Sequence, residues 1–443
     1  MHLHWTRRLV AALALLPAAA TAQGSANGSP PPLASFDTAW ASISRIYYDT
    51  ALIHGRWQQA HDSIRSSLGA SPDIDRVRSA IRALSAVPGQ SHFALIPRDA
   101  VPPTTAAPSS ASLGTVGLEF RPIGDTLVIW HVAAGSAAAA AGLKPGDIVT
   151  HVDTLPVAVL AERLARAFPE DAAMGQMLLT QAATSIGRRA LGDTAEYGIV
   201  DARGNARRVK LVHGAATGTI TRFGNLPPQV LHTSSEMVSV GPWWRRRQVP
   251  VIHWSAWFPV ISPKIDEMLF AARGAPGVII DLRGNPGGVV GMISGVAGHF
   301  SDSAWSLGTM YGRGSTLYLR ANPRVVDMTG ARRGIIDAPI AIIVDGFTAS
   351  SSEFFAAGLQ ALGRARVFGE TSAGMALPSL MLRLPSGDVL MHPIANHEDA
   401  NGRRVEGVGV LPDTPAPLTR RALLQGRDPA LEAARRWLAR EMR

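Results

Sequence analysis

The 443-residue chain contains no cysteine. That absence excludes disulfides, thiol nucleophiles and thiolate metal sites, so the core must hold together through burial alone. Lysine is nearly as scarce, with Lys144, Lys210 and Lys264 the whole set, which leaves few places for a lysine general base. Long apolar runs are missing too. Apart from Leu9 to Ala20, no stretch approaches the roughly 18 consecutive apolar residues that mark a membrane helix, and no permanent span is expected. Histidines and carboxylates fall without ligand spacing, so neither a metal site nor a cofactor is expected. The formal charge of +9 comes almost entirely from arginine, scattered at 207–208, 245–247, 332–333, 403–404, 420–421 and 435–436. A dispersed excess reads as solvated surface rather than as a groove for nucleic acid, and no nucleic-acid partner is expected.

What is present begins with a leader. His2 to Arg8 is basic, Leu9 to Ala20 apolar, and Ala20-Thr21-Ala22 has the small-residue pattern of a cleavage site. Residues 1–22 therefore read as a secretory signal, and the mature protein as exported, periplasmic or secreted. Its removal takes Arg7 and Arg8 away and lowers the charge to +7. A Gly/Ser/Pro-rich linker occupies 23–35, and 36–100 reads as helices with one apolar face each, ending in Ser91-His92 before a short apolar strand. A β-rich unit is expected over 101–215, an α/β core over 216–425 and a C-terminal helix unit over 426–443, the amphipathic spacing reading as one closing helix from Leu418 to Arg443.

The chemistry concentrates in 339–374, PIAIIVDGFTASSSEFFAAGLQALGRARVFGETSAG. Pro339 to Val344 is an uninterrupted apolar run suited to a strand covered on both faces, Asp345-Gly346 ends it, and helical spacing starts at Glu353. Ser350, Ser351 and Ser352 thus sit at a helix N-terminus beyond a strand's carboxyl end, where backbone N–H groups favour negative charge. Ser350-x-x-Glu353 taken alone is an ordinary capping box. A second loop changes that reading. Gly277 to Leu282 is another buried strand, running into Arg283-Gly284-Asn285-Pro286-Gly287-Gly288, which lacks the spacing of either nucleotide-binding loop and suits an oxyanion hole better.

DLRGNPGG at 281–288 followed by TASSSEFFAAGLQ at 348–360 resembles the tail-specific, or C-terminal processing, serine proteases and their tricorn-like relatives. The resemblance implies an α/β core of the ClpP/crotonase-like protease kind with an N-terminal helical region and an inserted PDZ domain. It makes Ser350 the nucleophile, with the oxyanion held by Gly287 or Gly288 and by Ser351. Residues 112–157 resemble a PDZ domain through Gly135-Ser136, Ala141-Gly142-Leu143 and Pro145-Gly146-Asp147. That likeness implies that Gly117, Leu118, Glu119 and Phe120 receive a peptide's C-terminal carboxylate on an exposed strand edge.

A serine hydroxyl needs a base. In the Ser-Lys branch of the family a lysine ends a G-E-T-x-x-G-K segment, but here Gly369 to Met375 ends in methionine, which accepts no proton. The tricorn-like branch instead carries a Ser-His pair after the helices and a glutamate in E-x-x-G-V-x-P-D. Ser91-His92 and Glu406, Gly409, Val410, Pro412 and Asp413 match those patterns. The expected set is therefore His92 as base, Glu406 holding the imidazole and Ser91 as fourth member, with His253, His299 and His392 as rivals lacking a matching motif. The function expected is an exported serine endopeptidase that cleaves extended or C-terminal segments of protein or peptide substrates, selected or gated by the PDZ unit. The alternative is a noncatalytic binder of peptides or apolar ligands on the same fold.

Overall fold

The computed structural model describes residues 32–98, 113–167, 189–221 and 229–442, together with 175, 179, 180 and 183. The expected signal at 1–22 and most of the linkers lie outside them. Helix α1 (Pro32–Ile46) takes in 32–35, a stretch the sequence assigned to the linker. Pro32 is preset for the first helical position, and Ser35 and Phe36 are buried beneath it. Helices α2 (Gln58–Leu68) and α3 (Ile74–Ala86) follow, the latter capped by the Asp73 carboxylate accepting from Arg76 N–H. Phe36, Ile43, Trp57, Ile81 and Leu84 form one cluster that continues into Leu384 and Leu390, more than 290 positions further along. These helices are therefore part of a shared core with the C-terminal half. Strand β1 (Ala94–Ile96) completes the attachment.

A β-rich unit with its own core comes next. Strands β2 (Leu118–Ile123), β3 (Thr126–Val132), β4 (Ile148–Val152), β5 (Thr194–Val200) and β6 (Ala206–Val212) lie in that spatial order, antiparallel throughout, with α4 (Val157–Ala167) after β4. Phe120, Leu127, Ile129, Val149, Tyr197 and Leu211 fill its interior.

The remaining elements in chain order are β7 (Thr233–Val240), β8 (Arg247–Trp254), α5 (Ser262–Ala271), β9 (Val278–Asp281), α6 (Gly291–Ala297), β10 (Trp305–Gly312) and β11 (Ser315–Ala321). Then come β12 (Ile340–Val344), α7 (Ser351–Ala361), β13 (Ala365–Gly369), β14 (Ser379–Arg383), β15 (Val389–Pro393), β16 (Ala395–Asp399), β17 (Thr414–Pro415), α8 (Arg420–Leu424) and α9 (Pro429–Glu441). A six-stranded sheet has the order β7-β8-β9-β12-β13-β17; β7 and β8 run antiparallel and every other pairing is parallel.

Strand periodicity decides which helices cover which face. Val278, Ile280, Ile342 and Val344 join Leu269, Ile293, Phe354 and Phe355 in one cluster, whereas Ile279, Ala341, Ile343 and Phe368 pack on Ala430, Ala434 and Leu438 of α9. Because β9 and β12 are adjacent and parallel, the loops that follow them emerge side by side at one edge. The expected single closing helix is instead two. Gly426 ends α8, and Asp428 and Pro429 start α9 afresh, the Asp428 carboxylate accepting from Leu431 N–H.

The N-terminal helices are tied down by strand pairing and by a buried ion pair. β1 adds to β15 with Leu95 opposite Leu390. Arg78 donates to both oxygens of Asp388 at 3.0 and 2.9 Å, and Arg98 N–H donates to Asp388 at 2.8 Å. Both partners are buried, so removal of one leaves the other uncompensated. Asp388→Ala is therefore expected to lower the free energy of unfolding by about 3–5 kcal/mol, and the double replacement Arg78→Met with Asp388→Leu to recover much of it. Denaturant curves unchanged by Asp388→Ala would show that this pair does not anchor the helices.

Candidate active site

The turn that carries Ser350 is built from the loop after β12. Asp345 accepts the N–H groups of Phe347 and Gly284 at 3.0 Å each, and Thr348 donates its hydroxyl to Leu282 O at 2.9 Å. Ala349 N–H donates to Asn285 O at 3.1 Å. These bonds lace the serine turn to the Gly-rich loop before either reaches its tip. Ser350 then adopts φ 55° and ψ −120°, a conformation that a residue with a Cβ holds only when its surroundings impose it. It remains partly exposed, whereas Ser351 and Ser352 are fully buried. Their hydroxyls are committed elsewhere, Ser351 Oγ to Gly288 O at 3.0 Å and Ser352 Oγ to Trp257 Nε1 at 2.8 Å.

The Gly-rich loop comes so close that side chains are excluded. A Cβ on Gly287 would lie 2.6 Å from Ser350 Cβ, and one on Gly288 2.3 Å from Trp257 O. The two glycines differ in what their amides do. Gly287 N–H donates to Asn285 Oδ1 at 3.0 Å, and Asn285 is itself fixed by donating to Trp254 O at 2.7 Å. Among the described residues the N–H groups of Gly288 and Ser351 have no partner, which leaves these two as available donors beside Ser350.

Across from this turn, Glu406 accepts from Ser91 N–H at 3.0 Å, from Ser91 Oγ at 2.9 Å and from Ala376 N–H at 2.7 Å. Ser91 Oγ lies 2.7 Å from His92 Nδ1. The proton positions follow. Ser91 donates its only hydroxyl hydrogen to the carboxylate, so toward His92 it can only accept, which places the ring proton on Nδ1 and leaves the Nε2 lone pair free. Glu406 therefore reaches the imidazole through Ser91, whereas the sequence reading had it hold the ring directly. His92 is in the left-handed region, φ 65°, and Gln90 beside it accepts from Tyr48 Oη at 2.8 Å and from Tyr47 Oη. Burial pushes the imidazole down to about 4. The ring is neutral near pH 7.

One short segment joins the halves. Met375 O accepts from Ser350 N–H at 2.8 Å, and the next residue, Ala376, donates to Glu406. No hydrogen bond links His92 to Ser350 directly among the described residues. Glu353, which the sequence offered only as a helix-capping acid, reinforces the junction. It is fully buried and accepts from Ser350 N–H (2.9 Å), Met375 N–H (3.1 Å), Gly374 N–H (2.7 Å) and Ser372 Oγ (2.5 Å). The Ser-x-x-Glu spacing announced the first of these contacts; the other three come from residues remote in sequence.

The rivals are committed elsewhere. His253 Nδ1 meets Asp281 O at 2.9 Å, His299 meets Asp266 at 3.0 Å, and His392 lies between Ser42 and Pro393 O. Among the described residues no cluster of histidines and acids could hold a metal. The expected peptide-binding residues lie at the start of β2, an edge strand. Leu118 and Phe120 point into the unit's own core, Glu119 is exposed near His131, and Gly117 N–H donates to Thr115 Oγ1 at 3.1 Å. Arg121, next on that strand, pairs with Asp345 at 3.1 Å and lies against Gly284.

Residues 252–416 match the model of peptidase family S41. A carboxyl-terminal-processing protease of Picosynechococcus is 28% identical over 147 residues, 33% of each chain, so the match spans about a third of that relative's length. Among solved structures, the photosystem II D1 C-terminal processing protease is 20% identical with a TM-score of 0.58, covering 93% of this chain and 98% of its own. The tricorn protease is 16% identical with a TM-score of 0.50, covering 93% of this chain and 37% of its own. At these identities the structural likeness concerns the mixed helix-and-sheet fold.

Glu353 supplies a test with a definite sign. Desolvation raises its carboxyl to about 7 from an ordinary 4.5, so ionisation opposes folding: the contribution is complete below pH 4.5 and lost as pH rises through about 7. The span corresponds to roughly 3 kcal/mol. Glu353→Gln, uncharged throughout, is expected to flatten the pH dependence of unfolding between about pH 5 and 8. Parallel wild-type and variant curves across that range would remove Glu353 as the titrating group.

Proposed function

We infer, from a core whose residues 252–416 match the model of peptidase family S41, that this chain is a serine endopeptidase working by acyl transfer. The observation that carries the reading is the hydrogen-bonded path Glu406–Ser91–His92, which shares the 375–376 segment with Ser350. His92 Nε2 takes the hydroxyl proton as Ser350 Oγ attacks the substrate carbonyl carbon. The developing oxyanion is received by Gly288 and Ser351 N–H groups, donors already aimed and needing no reorganisation. Collapse breaks the C–N bond while the imidazolium returns its proton to the leaving amine, and water then releases the acyl group by the same steps reversed. Positive charge on the ring is stabilised through Ser91, whose hydroxyl stays polarised by Glu406.

The inserted unit fits a PDZ-like role. An edge strand, β2, is open to an added peptide strand, and Arg121 leads from it to Asp345, whose carboxylate also holds Gly284 of the oxyanion loop. Occupancy of that edge thereby acts on the catalytic loops. The units at 36–100, 101–215 and 216–425 are taken as helical, PDZ-like and ClpP/crotonase-like respectively, and 1–22 as an export signal placing the enzyme in the periplasm or outside the cell. The substrates are extended or C-terminal segments of proteins or peptides.

A fluorophosphonate probe is expected to label wild-type protein and to leave Ser350→Ala unlabelled; absence of wild-type labelling would leave a noncatalytic binder. Ser91→Ala is expected to lower kcat roughly 10²–10⁴-fold with little change in KM, since it removes the acceptor that fixes the tautomer. Unchanged kcat would break the relay. If a free C-terminus on β2 favours turnover over an amidated one, Arg121→Ala is expected to abolish that preference, and a preference retained in full would uncouple β2 from the site.

A further inference from the structure

The hairpin joining β7 to β8 ends in Gly241-Pro242-Trp243-Trp244-Arg245-Arg246, directly followed by Arg247. Trp243 is 78% exposed and Trp244 71%, large apolar surfaces that burial elsewhere would stabilise. Their rings meet edge to face at 5.5 Å. The tip is rigid. Trp243–Arg245 form a 3₁₀ turn closed by Arg245 N–H on Pro242 O at 2.9 Å, and the flanking strands pair from Thr233 opposite Trp254 to Val240 opposite Arg247. Arg245, Arg246 and Arg247 are exposed and form no ion pair among the described residues.

We propose that this tip docks the protein on an anionic bilayer surface, the two tryptophans entering the headgroup layer and the three arginines pairing with lipid phosphates. Indole rings suit the boundary between water and hydrocarbon, and a neighbouring cationic cluster adds attraction to a negatively charged leaflet. The charge of the patch argues against a second copy of this chain as occupant, since identical tips would bring six arginines together. Topology fixes the orientation. The tip lies where β8 begins, and β9 and β12 run parallel to β8, so the Gly-rich loop and Ser350 emerge at the opposite edge of the sheet. A docked molecule therefore presents its catalytic loops to the aqueous side. This docking does not rest on the peptidase reading.

Sedimentation with vesicles tests it, using phosphatidylcholine alone and phosphatidylcholine containing a minority of phosphatidylglycerol. Wild-type protein is expected to bind the anionic vesicles, more weakly as salt rises. Trp243→Ala/Trp244→Ala and Arg245→Glu/Arg246→Glu are each expected to reduce binding roughly tenfold or more. Thermal unfolding followed by circular dichroism should be unchanged in both, which verifies folding because the exposed tip lies outside the buried core. The proposal is overturned if wild-type protein ignores phosphatidylglycerol, if either double variant binds as wild type does, or if the tryptophan variant instead dissociates a dimer that binds no vesicles.

Discussion

Two buried carboxylates grip one short stretch of backbone, and the site depends on that grip. Glu353 holds the amides of Gly374 and Met375, and Glu406 holds that of Ala376. An ionised carboxylate away from water is expensive unless donors surround it, and each of these acids collects at least three. Remove the stretch and both acids lose donors at once, the serine turn losing its partner at Met375 O as well. The Ser350 half and the His92 half are thus mutually dependent parts of one network, although Ser350 and His92 lie far apart in sequence.

Backbone strain sits at both ends of this network. His92 and Ser350 share the left-handed region, where a Cβ is disfavoured, and Asp153 is the other such residue in the described chain. At Ser350 the cost is offset by two acceptors on its amide and by the lacing of Asp345, Thr348 and Ala349 to the neighbouring loop. At His92 it is offset by the Tyr48–Gln90 contact before it and by β1 pairing with β15 after it. Bringing the N-terminal limb back across the inserted β-rich unit adds little, because loop-closure entropy grows only logarithmically with length. The cluster shared with Leu384 and Leu390 and the Arg78–Asp388 pair supply the compensation.

The residues with local signatures were legible in the sequence. Apolar runs announced β9 and β12, the glycine cluster announced a loop no side chain could enter, and hydroxyls at a helix start marked the turn. Information that depends on distant partners was not. Nothing in Gly287-Gly288 says which amide is available; that is decided by the Asn285 side chain, itself oriented by Trp254 O. The types Ser91, His92 and Glu406 were readable, but their order in the relay was not, because a hydroxyl can accept or donate until its neighbours are placed. Glu353 looked like an ordinary cap because spacing reveals contacts within one turn and hides those made to residues 372–375. The break at Gly426 was missed for a similar reason: amphipathic spacing resumes after it, and only the renewed cap at Asp428 shows that a second helix has begun.

The same distinction explains why methionine can stand at 375. A lysine there would act through its side chain, as a base. Here the position contributes a carbonyl to Ser350 and an amide to Glu353, and its side chain has no part in moving a proton. Backbone groups are present whichever residue occupies the position, proline apart for the amide. The 374–376 stretch is constrained as a hydrogen-bonding rail by Ser350, Glu353 and Glu406, whichever side chain stands at its centre. The carbonyl of residue 375 holds Ser350 directly and its amide holds Glu353, which also holds Ser350, while Glu406, held by residue 376 next to it, fixes Ser91 and through it His92.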